Sequence, residues 1–527
     1  MYDYLIQNAA VVDGTGKPAY TADVAVSGGL IAAIGDLAGC EAAQIIDAAG
    51  RYLTPGFIDV HRHGEAAAFR PGYGKAELAQ GLTTVLNGNC GLSMIPVRGP
   101  HRREILDYLA PVVGDMPAGC DFSTLSEYKE QLSRVPQRIH NGILVGMGTL
   151  RGCAAGFYDG KLSDEQYRFI WELLEEGLAQ GAQGVSLGLG YAPECFYDTE
   201  GMIRSLEPLK NSGVVITVHM RQEGDEVVEA LAEMITVAKA LNTPMQISHL
   251  KAIGTRNWER SVPKMLEMLR QARAEGVDIT CDVYPYPAGS TQLIHVLPPE
   301  FQAGGMDALT EALMDPEKRA IMKERMKTGS DFENISLLVG FENIQATSLR
   351  LEENKPFEGL SIVEIAQRQG KDVYDALFDL LASEHCTPAM IDRITHDNDI
   401  DAILKEPYSS VISDATYPED GLMHPRVYGN IPRLLEHYVR ERGLLTIEEA
   451  VRKISGQPAW RFGLKQKGRI EVGCDADLCL FDLNNIHQTG TWTDPARFAA
   501  GMDMVFVMGR PALENGEYPE HFGGQIL

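Results

Sequence analysis

Six residues carry the chemistry that stands out in this chain: His61, His63, Cys90, His219, His249 and Asp414. Neutral imidazole, thiolate and carboxylate are the donor set of zinc. His61 and His63 are separated by one residue, and on a strand that spacing turns both rings to the same side because side chains repeat every second position. One strand-end histidine by itself reads as a hydrogen-bonded core residue, and one cysteine as a small buried hydrophobe. Six donors at strand-like ends, in a chain with 13 histidines, read instead as a metal centre.

The elements that must position these donors are visible as eight compact β-type runs. They begin at Phe57, Thr83, Gly142, Gly184, Val214, Met245, Asp278 and Ser409. His61 and His63 end the first run, Cys90 the second, His219 the fifth, His249 the sixth and Asp414 the eighth. Helical spacing of apolar residues fills stretches between them, at Ser163 to Gln180, Asp225 to Leu241 and Ser261 to Glu275. Eight strands with intervening helices predict an α/β fold, a (β/α)8 barrel of the TIM type, whose strand C-termini converge on one catalytic face.

Two regions lie outside that pattern. Residues 1–53 form short strands and turns, and the same texture returns in Gly468-Arg-Ile-Glu-Val-Gly-Cys-Asp-Ala-Asp-Leu and Met504-Val-Phe-Val-Met. Neither piece can close a core alone, which predicts a small β-sandwich domain built from both chain termini, 1–53 plus 464–527, beside a barrel at 54–463. About 120 residues separate the seventh run from the eighth, too many for a plain connection, so an insertion at about 287–395 is expected there as a lid or substrate-shaping element. Within it, Met306 to Met326 and Ser361 to Ser383 read as helices and Ile335-Ser-Leu-Leu-Val-Gly as a strand.

The charge balance excludes some functions. With 47 Lys and Arg against 73 Asp and Glu, the net charge of −26 repels a phosphate backbone, and no basic stripe offsets it. No run of about 18 apolar residues could span a membrane, and the first residues have neither a basic nor an apolar leader pattern. Nine scattered cysteines, an odd number with no Cys-x-x-Cys pair, fit reduced thiols. A soluble cytoplasmic protein with a small-molecule partner is expected. Oligomeric state is left open.

On these residues the chain resembles a known family. Pro55-Gly-Phe-Ile-Asp-Val-His-Arg-His is similar to the first-strand signature of the amidohydrolase superfamily. Gly88-Asn-Cys-Gly-Leu-Ser, Gly188-Leu-Gly-Tyr-Ala-Pro, His219-Met-Arg-Gln-Glu-Gly-Asp, Ser248-His-Leu-Lys, Tyr284-Pro-Tyr-Pro-Ala-Gly-Ser-Thr and His424-Pro-Arg resemble, in chain order, the N-acyl-D-amino-acid deacylases or D-aminoacylases. The resemblance implies that Cys90 replaces the bridging carboxylated lysine of many amidohydrolases and, with His219 and His249, holds one tightly bound zinc. It implies a second, weaker metal position at His61 and His63. Asp414 would touch the metal and act as general base and then acid, while Tyr284, Ser290 and Arg426 would receive the substrate's α-carboxylate. The implied reaction is hydrolysis of N-acyl amino acids of the D series to a carboxylate and a free amino acid.

Three departures from the family pattern cluster near that pocket: Gly64-Glu65 after the His-x-His pair, Ala415 after Asp414, and Gly429-Asn-Ile after Arg426. A cyclic-amide hydrolase of the hydantoinase or dihydroorotase type is the nearest alternative, opposed by Cys90 in place of the lysine those enzymes carry. A non-catalytic scaffold is the remote one, opposed by the full donor set. Lys251 reads as a structural or solvated lysine, Gly188-Leu-Gly as backbone packing at the barrel wall, and His295 as a histidine without an assigned role.

Overall fold

In a computed structural model that describes residues 1–419 and 421–527, the eight runs form eight parallel strands. They are β1 (Phe57–Asp59), β2 (Leu82–Asn87), β3 (His140–Gly146), β4 (Gly184–Gly188), β5 (Ile216–His219), β6 (Met245–Ile247), β7 (Ile279–Val283) and β8 (Ser409–Val411). Each pairs with the next in chain order from β1 to β8. Every residue of these strands is buried, as expected for a parallel sheet covered on both faces by side chains and helices. The covering helices at Asp164–Ala179, Val227–Leu241 and Ser261–Ala274 lie where apolar periodicity placed them, the first opened by a capping box between Ser163 and Gln166.

The barrel closes one step beyond β1 and β8. Asp414 N–H donates to the His61 carbonyl at 2.9 Å, and Ala415–Thr416 pairs in parallel with Arg62–His63. Asp59 ties the same seam, accepting from the amides of His61 and Ser413 and from the Ser413 hydroxyl. The seam therefore brings residues about 350 positions apart in sequence into one backbone ladder.

The chain ends meet in an eight-stranded mixed sheet around its own apolar core, which includes Ile6, Val26, Leu53, Leu480 and Phe506. The strand Tyr52–Pro55 is the junction: it runs parallel to Tyr2–Val11 and antiparallel to Leu478–Phe481, then leads directly into β1.

The segment between β7 and β8 holds a three-stranded antiparallel sheet, ordered Ala288–Gln292, Ala389–Arg393, Ile344–Thr347, together with several helices. Three details differ from expectation. Ile335–Val339 is a helix and not a strand, because the Asn334 side chain accepts from Leu337 N–H at its start and Gly340, at φ 82°, ends it. The helix expected over Met306 to Met326 is two, Gly305–Met314 and Pro316–Thr328, parted where Asp315 caps the second. Ser361 to Ser383 is likewise two helices, Ile362–Gln369 and Val373–Ser383, parted at Gly370 in the left-handed conformation.

Candidate metal centre

The structure brings all six expected donors together at the C-terminal end of the barrel. Ligating atoms of His61, His63, Cys90 and Asp414 form one group lying within 4.8 Å of one another, and those of Cys90, His219 and His249 form a second that shares the thiol. Neighbouring donors are evenly spaced. His61 Nε2 lies 3.2 Å from Cys90 Sγ and 3.4 Å from Asp414 Oδ1, and His63 Nε2 lies 3.2 Å from that same oxygen. Cys90 Sγ lies 3.5 Å from His249 Nε2, which lies 3.1 Å from His219 Nδ1. Ligands at about 2.0–2.3 Å from a tetrahedral zinc stand about 3.3–3.8 Å apart, so the donor set fits such an ion with small adjustments.

The backbone is bent to make this set. Cys90, His249 and Asp414 all have positive φ, at 55°, 34° and 53°, a conformation that is unusual for residues other than glycine and that concentrates at functional sites. Each lies just past the end of its strand, where the left-handed residue turns its side chain in toward the barrel axis. Gly188 makes room: a Cβ there would sit 1.9 Å from the Cys90 carbonyl oxygen. The sequence reading of Gly188-Leu-Gly as wall packing corresponds to this contact.

Electrostatics favour neutral imidazoles at His63, His219 and His249 and an ionised aspartate, whereas at His61 the effect of burial is overcome by Cys90 and Asp414, which hold it well above the usual histidine range. Burial pulls His219 and His249 well below the usual histidine range. Burial also pulls His63 down, against Asp414. Burial would raise the Asp414 carboxyl, but the Arg426 guanidinium at 3.0 Å and hydrogen bonds from His61 and His63 hold it well below the carboxylate range. Burial pushes the Cys90 thiol up, and a divalent cation is the charge that would stabilise its thiolate here.

The three residues expected to receive a carboxylate also converge. The Arg426 guanidinium lies 4.7 Å over the Tyr284 ring and donates through Nη2 to the Ser290 carbonyl at 3.1 Å. Its Nε and Nη1 are buried with no partner among the described residues, leaving two donors for an incoming anion. Tyr284 and Ser290 line a small cavity of about 30 Å³ over the donors, together with His219, His249 and Asp414.

Several residues of this cavity were not assigned from sequence. Lys251 is neither solvated nor remote: it is buried, its ammonium lies 2.8 Å from His249 Nδ1, and it pairs with Glu223 at 2.5 Å. Glu223 Oε1 also lies 3.0 Å from His249 Nδ1, so a carboxylate and an ammonium together orient one candidate ligand. Its position four residues after His219 was the available signal. His295, Glu333 and Asp392 come from the insertion, where no periodicity pointed to the site.

Comparison with known proteins gives one consistent picture. The amidohydrolase family profile matches residues 44–114 and 399–512. D-aminoacylase of Alcaligenes xylosoxydans xylosoxydans is 32% identical over all of this chain and 97% of its own length, and N-acyl-D-glutamate deacylase of the same organism is 32% identical over 100% and 96%. The crystal structure of N-acyl-D-glutamate deacylase from Bordetella bronchiseptica, complexed with zinc and a phosphonate inhibitor, superposes with a TM-score of 0.84 at 28% identity over 100% of this chain and 99% of that one. An L-hydantoinase from Arthrobacter aurescens reaches a TM-score of 0.57 at 17% identity over 100% and 99%, a likeness of fold alone.

Proposed function

The chain belongs to the amidohydrolase family, in the group that contains D-aminoacylase and N-acyl-D-glutamate deacylase, and from that premise we propose that it is a metal-dependent hydrolase of N-acyl-D-amino acids. The observation that carries the reading is the meeting, at the C-terminal end of the barrel, of two donor groups sharing Cys90 with a buried arginine that pairs with Asp414 and keeps two unpartnered N–H groups. We propose zinc as the metal, held by Cys90, His219 and His249, with His61, His63 and Asp414 offering a second position. A zinc ion bound there would supply Lewis acidity, bringing the deprotonation of the attacking water down toward neutral pH.

The chain's own residues account for the remaining steps. Arg426 meets the substrate's α-carboxylate with a charge-assisted hydrogen bond from one of its unpartnered N–H groups, and Tyr284 and Ser290 close around it. Asp414 takes the proton of the water attacking the acyl carbonyl and returns it to the amide nitrogen as the C–N bond breaks. Arg426 links the two events, because drawing its charge toward a substrate carboxylate weakens the pairing that holds the Asp414 proton affinity down.

We propose the corresponding division of the chain: residues 54–463 as the barrel, 1–53 with 464–527 as the β unit, and 287–395 as a substrate-shaping insertion. No helix among the described residues is long and apolar enough to cross a membrane, and nine unpaired cysteines support a cytoplasmic location. The deciding experiment is a screen of the zinc-loaded protein on N-acetyl-D-amino acids, their L counterparts and cyclic amides. Turnover confined to the D series is expected, and turnover of hydantoins or dihydroorotate alone would sink the reading.

A further inference from the structure

The cavity over the donors has two unlike sides. The barrel side carries cations, Lys251 in its lining and Arg426 beside it. The insertion side is made by Gly289 to Thr291 with His295, Glu333, Ile335, Asp392 and Ile394, and contains no lysine or arginine. Its charges nearly cancel in pairs. Lys251 is taken by Glu223, Arg426 by Asp414, and His295 Nε2 lies 3.2 Å from Glu333 Oε2. The Glu223 amide N–H donates to the other Glu333 oxygen.

Asp392 is left over. It is 3% exposed, it lines the cavity, and among the described residues its carboxylate has neither a hydrogen-bond donor nor an ion-pair partner. A buried ionised carboxylate without a partner is costly. Burial, aided by Glu333 and opposed by the more distant charges of Lys251, His295 and Arg426, lifts its carboxyl to about 6, which still leaves an anion at slightly alkaline pH. Asp392 stands opposite Gly289 in the antiparallel pair, one position from Ser290. A side chain at Gly289 would begin 3.2 Å from Asp392 Oδ1 and 3.3 Å from the Tyr284 hydroxyl, so glycine keeps this carboxylate open toward the residues that hold the α-carboxylate. A group reaching Asp392 therefore belongs to the amino-acid half of the substrate and not to its acyl half.

We propose that Asp392, with Glu333 behind it, is a subsite for a cationic side chain, so that the substrates are N-acyl-D-amino acids ending in a guanidinium or ammonium group. The inference rests on the deacylase reading above and adds the side-chain class to it. Ile335 and Ile394 flank the path and suit the methylene stem of such a side chain. An acidic side chain would set a second carboxylate against Asp392 and Glu333, a like-charge encounter that excludes it.

The test compares kcat/KM of the zinc-loaded full chain on N-acetyl-D-arginine, its neutral near-isostere N-acetyl-D-citrulline, N-acetyl-D-leucine and N-acetyl-D-glutamate. Arginine is expected to exceed citrulline by about tenfold or more, the effect of one desolvated charge pair, with glutamate the poorest of the four. In Asp392→Asn the arginine to citrulline ratio should fall toward one with metal content retained, and Glu333→Gln should lower it in the same direction. Should Asp392→Asn not fold, the wild-type ratio decides by itself. If the four are hydrolysed but glutamate or leucine matches arginine, or citrulline equals it, the subsite is wrong and the deacylase reading stands. If none is hydrolysed, both fall.

Discussion

The barrel rim and the insertion wall face each other across one cavity and are built on opposite principles. The rim places six donors on strand ends and braces them from behind: Asp282 accepts from His249 N–H at 2.5 Å, Lys251 and Glu223 meet His249 Nδ1, and Asp59 ties the His61 and Ser413 amides together. The insertion wall consists of a three-stranded sheet and short helices that contribute single residues, of which Asp392 has no bracing partner among the described residues. A set of atoms that must hold a metal needs fixed geometry, whereas a wall that must discriminate needs an unsatisfied group for the ligand to satisfy. On the proposed reading, chemistry and selectivity fall to separate parts of the chain.

This contrast can be broken by substitution. The largest effect is expected from Cys90→Ala, which removes the donor common to both groups. Metal content measured by atomic emission should collapse, and activity on every N-acyl substrate should fall together by about 10³-fold or more, beyond the 10–100-fold typical of losing an outer partner. Full activity in a metal-free protein would refute the role given to the rim. Asp414→Asn should follow, lowering kcat by about 10²–10⁴-fold while much of the metal stays bound; surviving turnover would mean another base. Lys251→Met, behind His249, should cost about 10–100-fold in metal affinity or kcat, equally for all substrates.

The smallest effect belongs to the wall. Ile394→Ala should raise KM for long side chains by about tenfold, with metal content unchanged and the ranking of short substrates preserved. If Ile394→Ala instead released metal, or if Lys251→Met altered side-chain preference, the separation of the two regions would not hold.

The rim was legible in the sequence because its donors end strands that are buried along their whole length, and buried parallel strands read as compact apolar runs with the polar residue at the terminus. Lys251 was read as structural or solvated, and the structure makes it a buried, ion-paired lysine; the choice between the two was not legible because its partner, Glu223, lies on a different connection. The helix at Ile335–Val339 was misread because five residues, four of them apolar, carry no period long enough to separate helix from strand, and the Asn334 cap decided it. Asp392 had no signal at all. Its position opposite Gly289 depends on a strand pairing across about 100 intervening residues.

By itself the sequence determined which donor types exist, which strands end in them, and hence that a metal-dependent hydrolase on a parallel barrel was the reading to test. Those features are local, since strand periodicity and terminal polar residues are written within a few positions. Only the tertiary structure decided how the barrel closes at His61 to His63 and Asp414 to Thr416, that Arg426 braces Asp414 while keeping two donors free, and that an unpaired carboxylate from the insertion faces the site. The barrel seam and the pairing of Asp392 with Gly289 join residues more than 100 positions apart, and Arg426 is held by the Ser290 carbonyl 136 positions away as well as by Asp414. Their geometry follows from packing and charge pairing in the folded core, which no short window of sequence contains.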